Sequence, residues 1–164
     1  MEKVSILWFK KNLRISDNSA LYKASNEQKI AAIYINDPDI INGDDFSSYH
    51  LDFIKESLLE LEIIFKKNKS SLNVYYDKAI NVLKKINETY SIRKIITHYE
   101  TGNWVTFCRD KIITNYCKTN GIELLEYQSN GVVRNLSDRD GWSHLWNKEM
   151  IKDQISTPDV SGFL

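Results

Sequence analysis

Residues 4–21, VSILWFKKNLRISDNSAL, are the stretch that decides the fold of this chain. They open on a run of apolar, β-branched and aromatic residues, which is typical of a strand buried on both faces. Three cations follow within five residues of the end of that run, namely Lys10, Lys11 and Arg14. Asp17 or Asn18 then provides the cap for a helix that begins near Ser19. The order is therefore strand, cationic loop and helix.

The position of this cationic loop suggests a binding role. In an open α/β sheet, ligands bind beyond the carboxyl ends of the strands. Cations at that position, beside the positive end of a helix dipole, favour an anion or a polar ring system. The alternative is that the three cations are solvated surface charges.

Composition narrows the class of protein. The length of 164 residues predicts one domain with a real core. Lys plus Arg and Asp plus Glu each number 22, and this balance argues against nucleic-acid binding by this domain alone. Cys108 and Cys117 lie too far apart along one predicted helix to form a disulfide, so we expect reduced thiols and a cytoplasmic protein. Neither the cysteines nor the histidines have the spacing of metal ligands, and no apolar run is long enough to cross a membrane.

The rest of the chain alternates predicted strands and helices. Further strands are predicted over residues 30–35, 72–76, 92–99 and 122–127. A long helix begins at Ser47 or Ser48, and a shorter one follows the third strand. The helix after the fourth strand is predicted to use one inner face, made of Val105, Cys108, Ile112, Tyr116 and Cys117. This rhythm predicts a Rossmann-like, doubly wound, five-stranded parallel sheet in a three-layer α/β/α sandwich. No GxGxxG or Walker A sequence is present.

The last thirty-five residues follow a different pattern. They are polar and contain no predicted strand, but Asp140 is placed to cap a short helix that carries Trp142, Leu145 and Trp146 on one face. We expect these tryptophans to pack back on the same domain, the alternative being an interface with another domain. Residues 156–164 are expected to be a linker with little to pack. The predicted division is a domain over residues 1–135, then a helix and interdomain linker over residues 136–164.

Several segments resemble the photolyase/cryptochrome family. LWFKKNLRISDNSAL, residues 7–21, is similar to the family's N-terminal signature, which has a strand, two basic residues, an acid, Leu-Arg and Asp-Asn-x-Ala-Leu. FIKESLLEL, residues 53–61, resembles the helix after the family's second strand. The pairs Tyr99-Glu100 and Arg109-Asp110 resemble its pattern after the fourth strand, and NGVVRNLSDRDGW, residues 130–142, is similar to a bacterial subgroup. The resemblance extends over essentially the whole chain.

The resemblance implies a function for a longer protein. Family members have an N-terminal α/β domain, which in many cases holds an antenna chromophore, either methenyltetrahydrofolate or a deazaflavin. A larger helical domain holds FAD, binds damaged DNA and repairs pyrimidine dimers by light-driven electron transfer. We therefore expect this chain to be the antenna domain alone, without the helical FAD domain. Catalytic residues and direct contact with DNA are expected in that partner domain, and none here.

The resemblance and the strand ends together predict an antenna site. Its candidate residues are Phe9, Lys10, Asn12, Tyr34, Asp37, Glu100, Thr101, Gly102 and Asn103. The Glu100 carboxylate would accept hydrogen bonds from the amino group and ring N–H of a pterin. The alternatives are that Phe9 and Tyr34 are plain core aromatics and that Glu100 is a solvated loop carboxylate. Trp8 points to the opposite face by strand alternation and is expected in the core.

Three departures from the family pattern leave open which antenna chromophore, if any, this chain binds. Lys10, Lys11 and Asn12 stand where the family has Arg-Arg-Asp, and lysine lacks the planar fork of arginine. Tyr49 and His50 stand where an arginine is often found, and the segment from Glu100 to Arg109 is longer than usual. Two other hypotheses therefore remain. The first is a chromophore-free module that docks a flavin domain, and the second is a small nucleotide-binding protein of similar winding, such as a universal-stress type.

Overall fold

The computed structural model describes residues 2–134, 136 and 138–164 and contains one parallel sheet. Its strands are β1 (Lys3–Phe9), β2 (Ile30–Asn36), β3 (Leu72–Tyr76), β4 (Ser91–His98) and β5 (Glu123–Tyr127). The helices are α1 (Ser19–Ala24), α2 (Pro38–Ile41), α3 (Ser48–Lys67), α4 (Ala79–Thr89), α5 (Trp104–Thr119) and α6 (Trp142–Met150). No helix in these described ranges is both long and apolar enough to cross a membrane.

The strand order β3-β2-β1-β4-β5 confirms the doubly wound prediction. The chain builds outward from β1 to β3 on one side, then crosses to β4 and continues to β5. β1 and β4 are therefore hydrogen-bonded neighbours at the point where the winding reverses. In folds of this type, that reversal leaves a crevice beyond the carboxyl ends of the two central strands, where ligands bind.

Helices cover both faces of the sheet and enclose two apolar cores. On one face, Leu21 of α1 and Phe65 of α3 pack with Leu7 and Phe9 of β1. On the other face, residues of α4 and α5, including Leu83 and Ile113, pack with Trp8 and its neighbours. Because successive strand side chains point to opposite faces, Trp8 and Phe9 lie in different cores, as the sequence predicts.

Side-chain caps fix where the helices begin and end. The Asn18 side chain accepts a hydrogen bond from the Leu21 backbone N–H at 2.9 Å, so Asn18 rather than Asp17 caps α1. Ser47 caps α3 in a capping box whose second partner is the His50 side chain. Beyond the end of α5, Gly121 adopts φ 65°, which is the left-handed conformation that the Asn-Gly pair predicts.

The structure differs from the predicted elements in two places. The short helix α2 has no counterpart among them, and the Asp37 side chain caps it. The inner face of α5 is made of Thr106, Asp110, Ile113 and Cys117, while Ile112 is 54% exposed. Hydrophobic periodicity misassigned this face because two of its four inward positions are polar, and their partners come from elsewhere in the fold.

The tail contacts the domain in its described part, but the tryptophans do not pack into it as expected, because α6 has no buried residue and Trp142 and Trp146 are 44% and 40% exposed. The Trp146 ring lies so close to Gly131 that a Cβ at Gly131 would overlap it. The Tyr99 hydroxyl donates to the Val132 carbonyl at 2.7 Å, which ties the chain after β5 to the end of β4. Asp140 does not cap α6, because the N-cap is Gly141 and no side-chain cap forms there. Residue 135, the predicted domain boundary, lies outside the described residues.

The expectation that residues 156–164 have little to pack is wrong. Val160 and Phe163 are buried, and the Phe163 ring packs edge-on against Phe65 with 5.5 Å between centroids. The Leu164 N–H donates to the Ile30 carbonyl at 2.8 Å, so this segment lies beside the first residue of β2. Val160, Phe163 and Leu164 are too few and too unevenly spaced to give a periodicity, which is why the sequence pattern does not reveal this packing.

Candidate functional site

A cleft of about 410 Å³ opens beyond the carboxyl ends of the central strands. The ends of β1 and β2 form its floor, and α2, the start of α3 and the start of α5 form its walls. Its volume lies within the range of pockets that bind small molecules and cofactors. The cleft therefore occupies the position at which a doubly wound sheet is expected to bind a ligand.

The structure brings six of the nine predicted site residues to this cleft. They are Phe9, Lys10, Tyr34, Asp37, Glu100 and Asn103. Asn12, Thr101 and Gly102 are not among the residues that line it. The Thr101 hydroxyl accepts a hydrogen bond from the Asn130 amide at 2.9 Å, and a Cβ at Gly102 would lie 2.6 Å from the Lys11 ammonium group. Thr101 and Gly102 therefore pack behind the residues that line the cleft.

A network of ion pairs holds the cationic loop against α5. The buried Lys10 ammonium group lies 2.7 Å from the Asp110 carboxylate. The Arg109 guanidinium contacts Asp110 at 2.9 Å and the Glu100 carboxylate at 3.5 Å. Burial lowers the pKa of Lys10, and the Asp110 carboxylate opposes that shift. The solvated-charge alternative is therefore wrong for Lys10, whereas Arg14 is exposed and its side chain bonds to Ser16 and Asp17 of its own loop.

Two of these cations lie over the Trp8 indole. The Lys10 nitrogen is 4.5 Å from the ring centroid and the Arg109 guanidinium carbon is 5.0 Å from it. Both distances are within the range of cation–π attraction. Trp8 is thus a core residue, as predicted, but it also lines the cleft and positions the charged groups above it.

Glu100 is buried and satisfied by the protein itself. One carboxylate oxygen accepts from the Thr101 N–H at 3.0 Å and contacts the Lys11 ammonium group at 2.9 Å. The other oxygen faces Arg109 at 3.5 Å. The alternative of a solvated loop carboxylate is wrong. Glu100 thus contacts two cations at the end of β4, closely through Oε1 and at the longer distance through Oε2.

Asp37 also has a structural role. One oxygen accepts from the Asp39 N–H at 3.1 Å and so caps α2, while the other accepts from the Ala79 N–H at 2.9 Å at the start of α4. A single buried carboxylate therefore joins two helix N-termini beneath the cleft. Asp37 is at the predicted place, but both of its oxygens already receive N–H groups.

Tyr34 lines the cleft from β2. The side chain is 8% exposed, and its hydroxyl has no hydrogen-bond partner within the described part of the chain. Burial raises the pKa of Tyr34 to about 12, although the Arg109 guanidinium acts in the opposite direction. The hydroxyl is therefore protonated at neutral pH and is available as a donor. Phe9, by contrast, packs edge-on against Phe65 in the core, with 6.3 Å between ring centroids.

A contact between two loops spans the mouth of the cleft. The Asn103 side-chain amide donates to the Asp45 carboxylate at 2.5 Å, while its oxygen accepts from the Thr106 N–H and caps α5. Phe46, next to Asp45, packs edge-on against His50, with 5.5 Å between ring centroids. The polar loop after α2 thus reaches over the cleft to the beginning of α5.

Sequence reasoning missed several residues of this site. Arg109 and Phe46 line the cleft, and Asp110 holds Lys10 beside it. The available signal was the Arg109-Asp110 pair itself, because a buried cationic loop needs an anion from a neighbouring element. In the part of the chain that the structure describes, no group of three or more His, Cys, Asp or Glu residues is placed to hold a metal ion.

The family profile and the curated relatives that match this chain point to the same family. The profile of the family described as DNA photolyase matches residues 5–138. An Arabidopsis thaliana protein named Cryptochrome DASH, chloroplastic/mitochondrial, is 30% identical over 105 residues, which cover 60% of this chain and 18% of the relative. The (6-4)DNA photolyase of the same plant is 26% identical over 130 residues, covering 73% and 23%. The chain thus spans about a quarter or less of the curated relatives it matches.

Solved structures agree with these relatives. An archaeal photolyase from Sulfolobus tokodaii superposes with a TM-score of 0.77 at 26% identity, covering 95% of this chain and 37% of that one. A cryptochrome from Synechocystis sp. PCC6803 superposes with a TM-score of 0.79 at 18% identity, covering 97% and 36%. The second comparison shows a shared fold alone. In both, this chain corresponds to little more than a third of the longer protein.

Proposed function

This chain belongs to the DNA photolyase family, and we propose that its cleft binds the antenna chromophore of a photolyase or cryptochrome. The observation that carries the proposal is the open cleft itself, which lies at the reversal of the strand order and is lined by aromatic and hydrogen-bonding side chains. When bound there, the chromophore would absorb light and pass the energy to a flavin.

The residues present fit a planar ring system. The floor of the cleft combines the aromatic groups of Trp8, Phe9 and Tyr34 with the buried Lys10 and Arg109 cations. Such mixed surfaces accept rings that have an apolar face and a polar edge. Methenyltetrahydrofolate and deazaflavin are our candidate chromophores. A flavin is a third, because the Sulfolobus tokodaii photolyase is described as holding two FAD molecules and implying a novel light-harvesting cofactor.

We also propose that the domain works with a helical FAD domain, which would bind damaged DNA and carry out the repair of pyrimidine dimers. Exposed apolar side chains beside the tail offer a surface for that contact. Trp142, Trp146 and Ile151 are each at least 40% exposed. Catalytic residues are then expected in the helical domain, and the α/β domain would contact DNA only through it.

A cytoplasmic location fits the free cysteines, and cell fractionation tests it.

The two alternative functions have less support. A chromophore-free docking module would need a filled or collapsed cleft, whereas this cleft is open. A universal-stress type of nucleotide-binding protein would need a glycine-rich phosphate loop after β4. That turn has Gly102 alone, and the packing of Gly102 behind Lys11 and Glu100 explains it without a phosphate.

Reconstitution tests the proposal. The purified chain is incubated separately with methenyltetrahydrofolate, a deazaflavin and FAD, excess chromophore is removed by gel filtration, and absorption is recorded. We expect one equivalent of at least one chromophore to be retained. Ile54→Trp, which adds bulk to a residue lining the cleft, should reduce retention at least tenfold. Ile63→Trp on the exposed side of the same helix is the matched control.

Two results would contradict the proposal. The first is that the wild-type chain retains none of the three chromophores at micromolar concentration. The second is that Ile54→Trp and Ile63→Trp retain the same amount as the wild type, because the chromophore would then bind outside the cleft. Circular dichroism of both variants verifies that the fold is intact.

A further inference from the structure

Three Asn-Gly pairs occur in the chain, at Asn42-Gly43, Asn120-Gly121 and Asn130-Gly131. Such a pair is chemically labile, because glycine has no side chain to hinder its backbone nitrogen when that nitrogen approaches the asparagine side chain. The reaction also needs a side chain that can turn towards the next nitrogen and a backbone that can rotate with it. The fold around each pair therefore decides whether it reacts.

The pair at Asn130 is held by its neighbours. The Asn130 side-chain amide donates to the Thr101 hydroxyl at 2.9 Å, and its oxygen accepts from the Val132 N–H at 3.0 Å. Gly131 is buried, and a Cβ there would overlap the Trp146 ring. Two hydrogen bonds must break and the backbone must move against an indole before this pair can react.

The pair at Asn42 is held at its nitrogen. The Gly43 N–H donates to the Ile40 carbonyl at 3.1 Å in the turn that follows α2. The Gly43 carbonyl in turn accepts from the Phe46 N–H at 3.0 Å. The nitrogen that would attack is thus part of a hydrogen-bonded turn, and that turn must open before the pair can react.

The pair at Asn120 follows the end of α5, and both of its residues are exposed. The Asn120 side chain makes one hydrogen bond to a described residue, in which its amide donates to the Tyr116 carbonyl at 2.9 Å. The Gly121 N–H donates to none of the described residues, and a Cβ at Gly121 would have open space around it. Opening this pair therefore breaks one exposed hydrogen bond at a helix end, where helices fray.

We infer that Asn120 is a site of spontaneous modification, which converts to aspartate and isoaspartate before the other two pairs do. The Gly121 nitrogen forms a bond to Cγ of Asn120, and the side-chain amide leaves with the nitrogen's proton as ammonia. The product is a five-membered succinimide. One water molecule then cleaves either the new bond, which gives aspartate, or the original peptide bond, which gives isoaspartate. Neither residue lines the cleft, so the inference is independent of the proposed function.

Isoaspartate at this position would disturb the junction between α5 and β5. The Ile122 N–H donates to the Cys117 carbonyl at 2.9 Å, and Ile122 is buried in the same core as Ile113. An isoaspartyl linkage adds one methylene to the backbone between those two bonded residues. It also places a carboxylate at the negative end of the α5 dipole, where an anion is unfavourable. The modified chain should therefore unfold at a lower urea concentration than the fresh chain.

Peptide mapping by mass spectrometry tests this. The full chain is kept at mildly alkaline pH, and the conversion of each asparagine is followed over time. We expect Asn120 to convert about fivefold faster than Asn42 and at least about tenfold faster than Asn130. Asn120→Gln removes the site, because the longer side chain closes its ring far more slowly, and should leave the other two rates unchanged. In concentrated urea the three pairs should convert at similar rates, because the fold no longer holds any of them.

Three results would overturn the inference. The first is conversion of Asn42 or Asn130 as fast as Asn120 in the folded chain, and the second is no conversion at any of the three. The third is the same difference in rates in urea, because local sequence would then set the rates.

An isoaspartate-specific carboxyl methyltransferase identifies the product. With S-adenosylmethionine labelled in its methyl group, label should enter the peptide that contains Asn120 in the aged wild-type chain and be absent from the same peptide of Asn120→Gln. Absence of label from that peptide in the aged wild type would overturn the assignment of isoaspartate.

Discussion

Lys10 shows how one residue links the sequence signature to the cleft. It follows β1 directly, and its ammonium group is buried between the Asp110 carboxylate and the Trp8 ring. A buried charge is tolerated only when it is paired and hydrogen-bonded. The position of the cation was predictable from the end of the strand. Its partner was not, because Asp110 lies one hundred residues later on a face of α5 that appears polar in sequence.

Asp110→Asn should destabilise the fold by about 3 kcal/mol, because the Lys10 ammonium group stays buried without its counter-charge. Urea denaturation at pH 7 measures the loss in free energy of unfolding. Glu62→Gln breaks the exposed pair with Lys66 on α3 and is the matched control, expected to cost less than about 1 kcal/mol. Equal losses in the two variants would show that the buried pair contributes no more than a surface one.

His98 should make stability depend on pH. It is buried at the end of β4, 3.1 Å from the Ser19 hydroxyl, and burial together with the nearby Arg14 and Lys10 cations lowers its pKa from 6.5 to about 4. Between those values the unfolded chain binds more protons than the folded chain. The stabilisation is therefore complete above pH 6.5 and is lost as the pH falls towards 4.

The variant His98→Gln tests that sign. Between pH 7 and pH 4.5, the wild type should lose about 2 kcal/mol more free energy of unfolding than the variant. His144→Gln, on the exposed α6, is the control and should follow the wild-type curve. Urea denaturation at several pH values gives both curves. Parallel curves for wild type and His98→Gln would refute a buried neutral His98.

At the scale of elements, the sequence predicts the alternation of strands and helices. It does not predict which face of α5 is buried or how the C-terminal segment packs. The inner strands β1 and β2 are largely apolar runs because both of their faces are covered. The face of α5 and the packing of the C-terminal segment depend on partners far away in the chain. Thr106 and Asp110 face inward, and Phe163 fills a space beside Phe65. Local periodicity carries no information about either.

Phe163→Ala should cost about 3 kcal/mol of unfolding free energy, because it removes a buried ring from the core beneath α3. Leu164→Ala is the matched control, since its side chain is 55% exposed and its backbone contact with Ile30 remains. That change should cost less than about 1 kcal/mol. Chemical denaturation of both variants gives the comparison. Similar small losses would mean that the C-terminal segment does not belong to the folded core.

For the whole molecule, the strand order fixes where the cleft lies. The reversal between β1 and β4 places the cationic loop, Tyr34 and Glu100 at one edge of the sheet, although they are separated by up to ninety residues. That convergence follows from a parallel sheet and was predictable. The loop around Asp45 and the occupied carboxylates of Asp37 and Glu100 depend on side-chain pairing, so only the folded chain reveals them.

The central claim is that this cleft holds the antenna chromophore, and amide chemical-shift mapping of the chain tests it most directly. On saturation with a chromophore that the chain retains, we expect the largest shifts at the ends of β1, β2 and β4, including Lys10, Asn36 and Glu100. Amides in the C-terminal segment, such as Phe163, should be unaffected. Shifts confined to residues outside the cleft, or none at saturation, would contradict the claim.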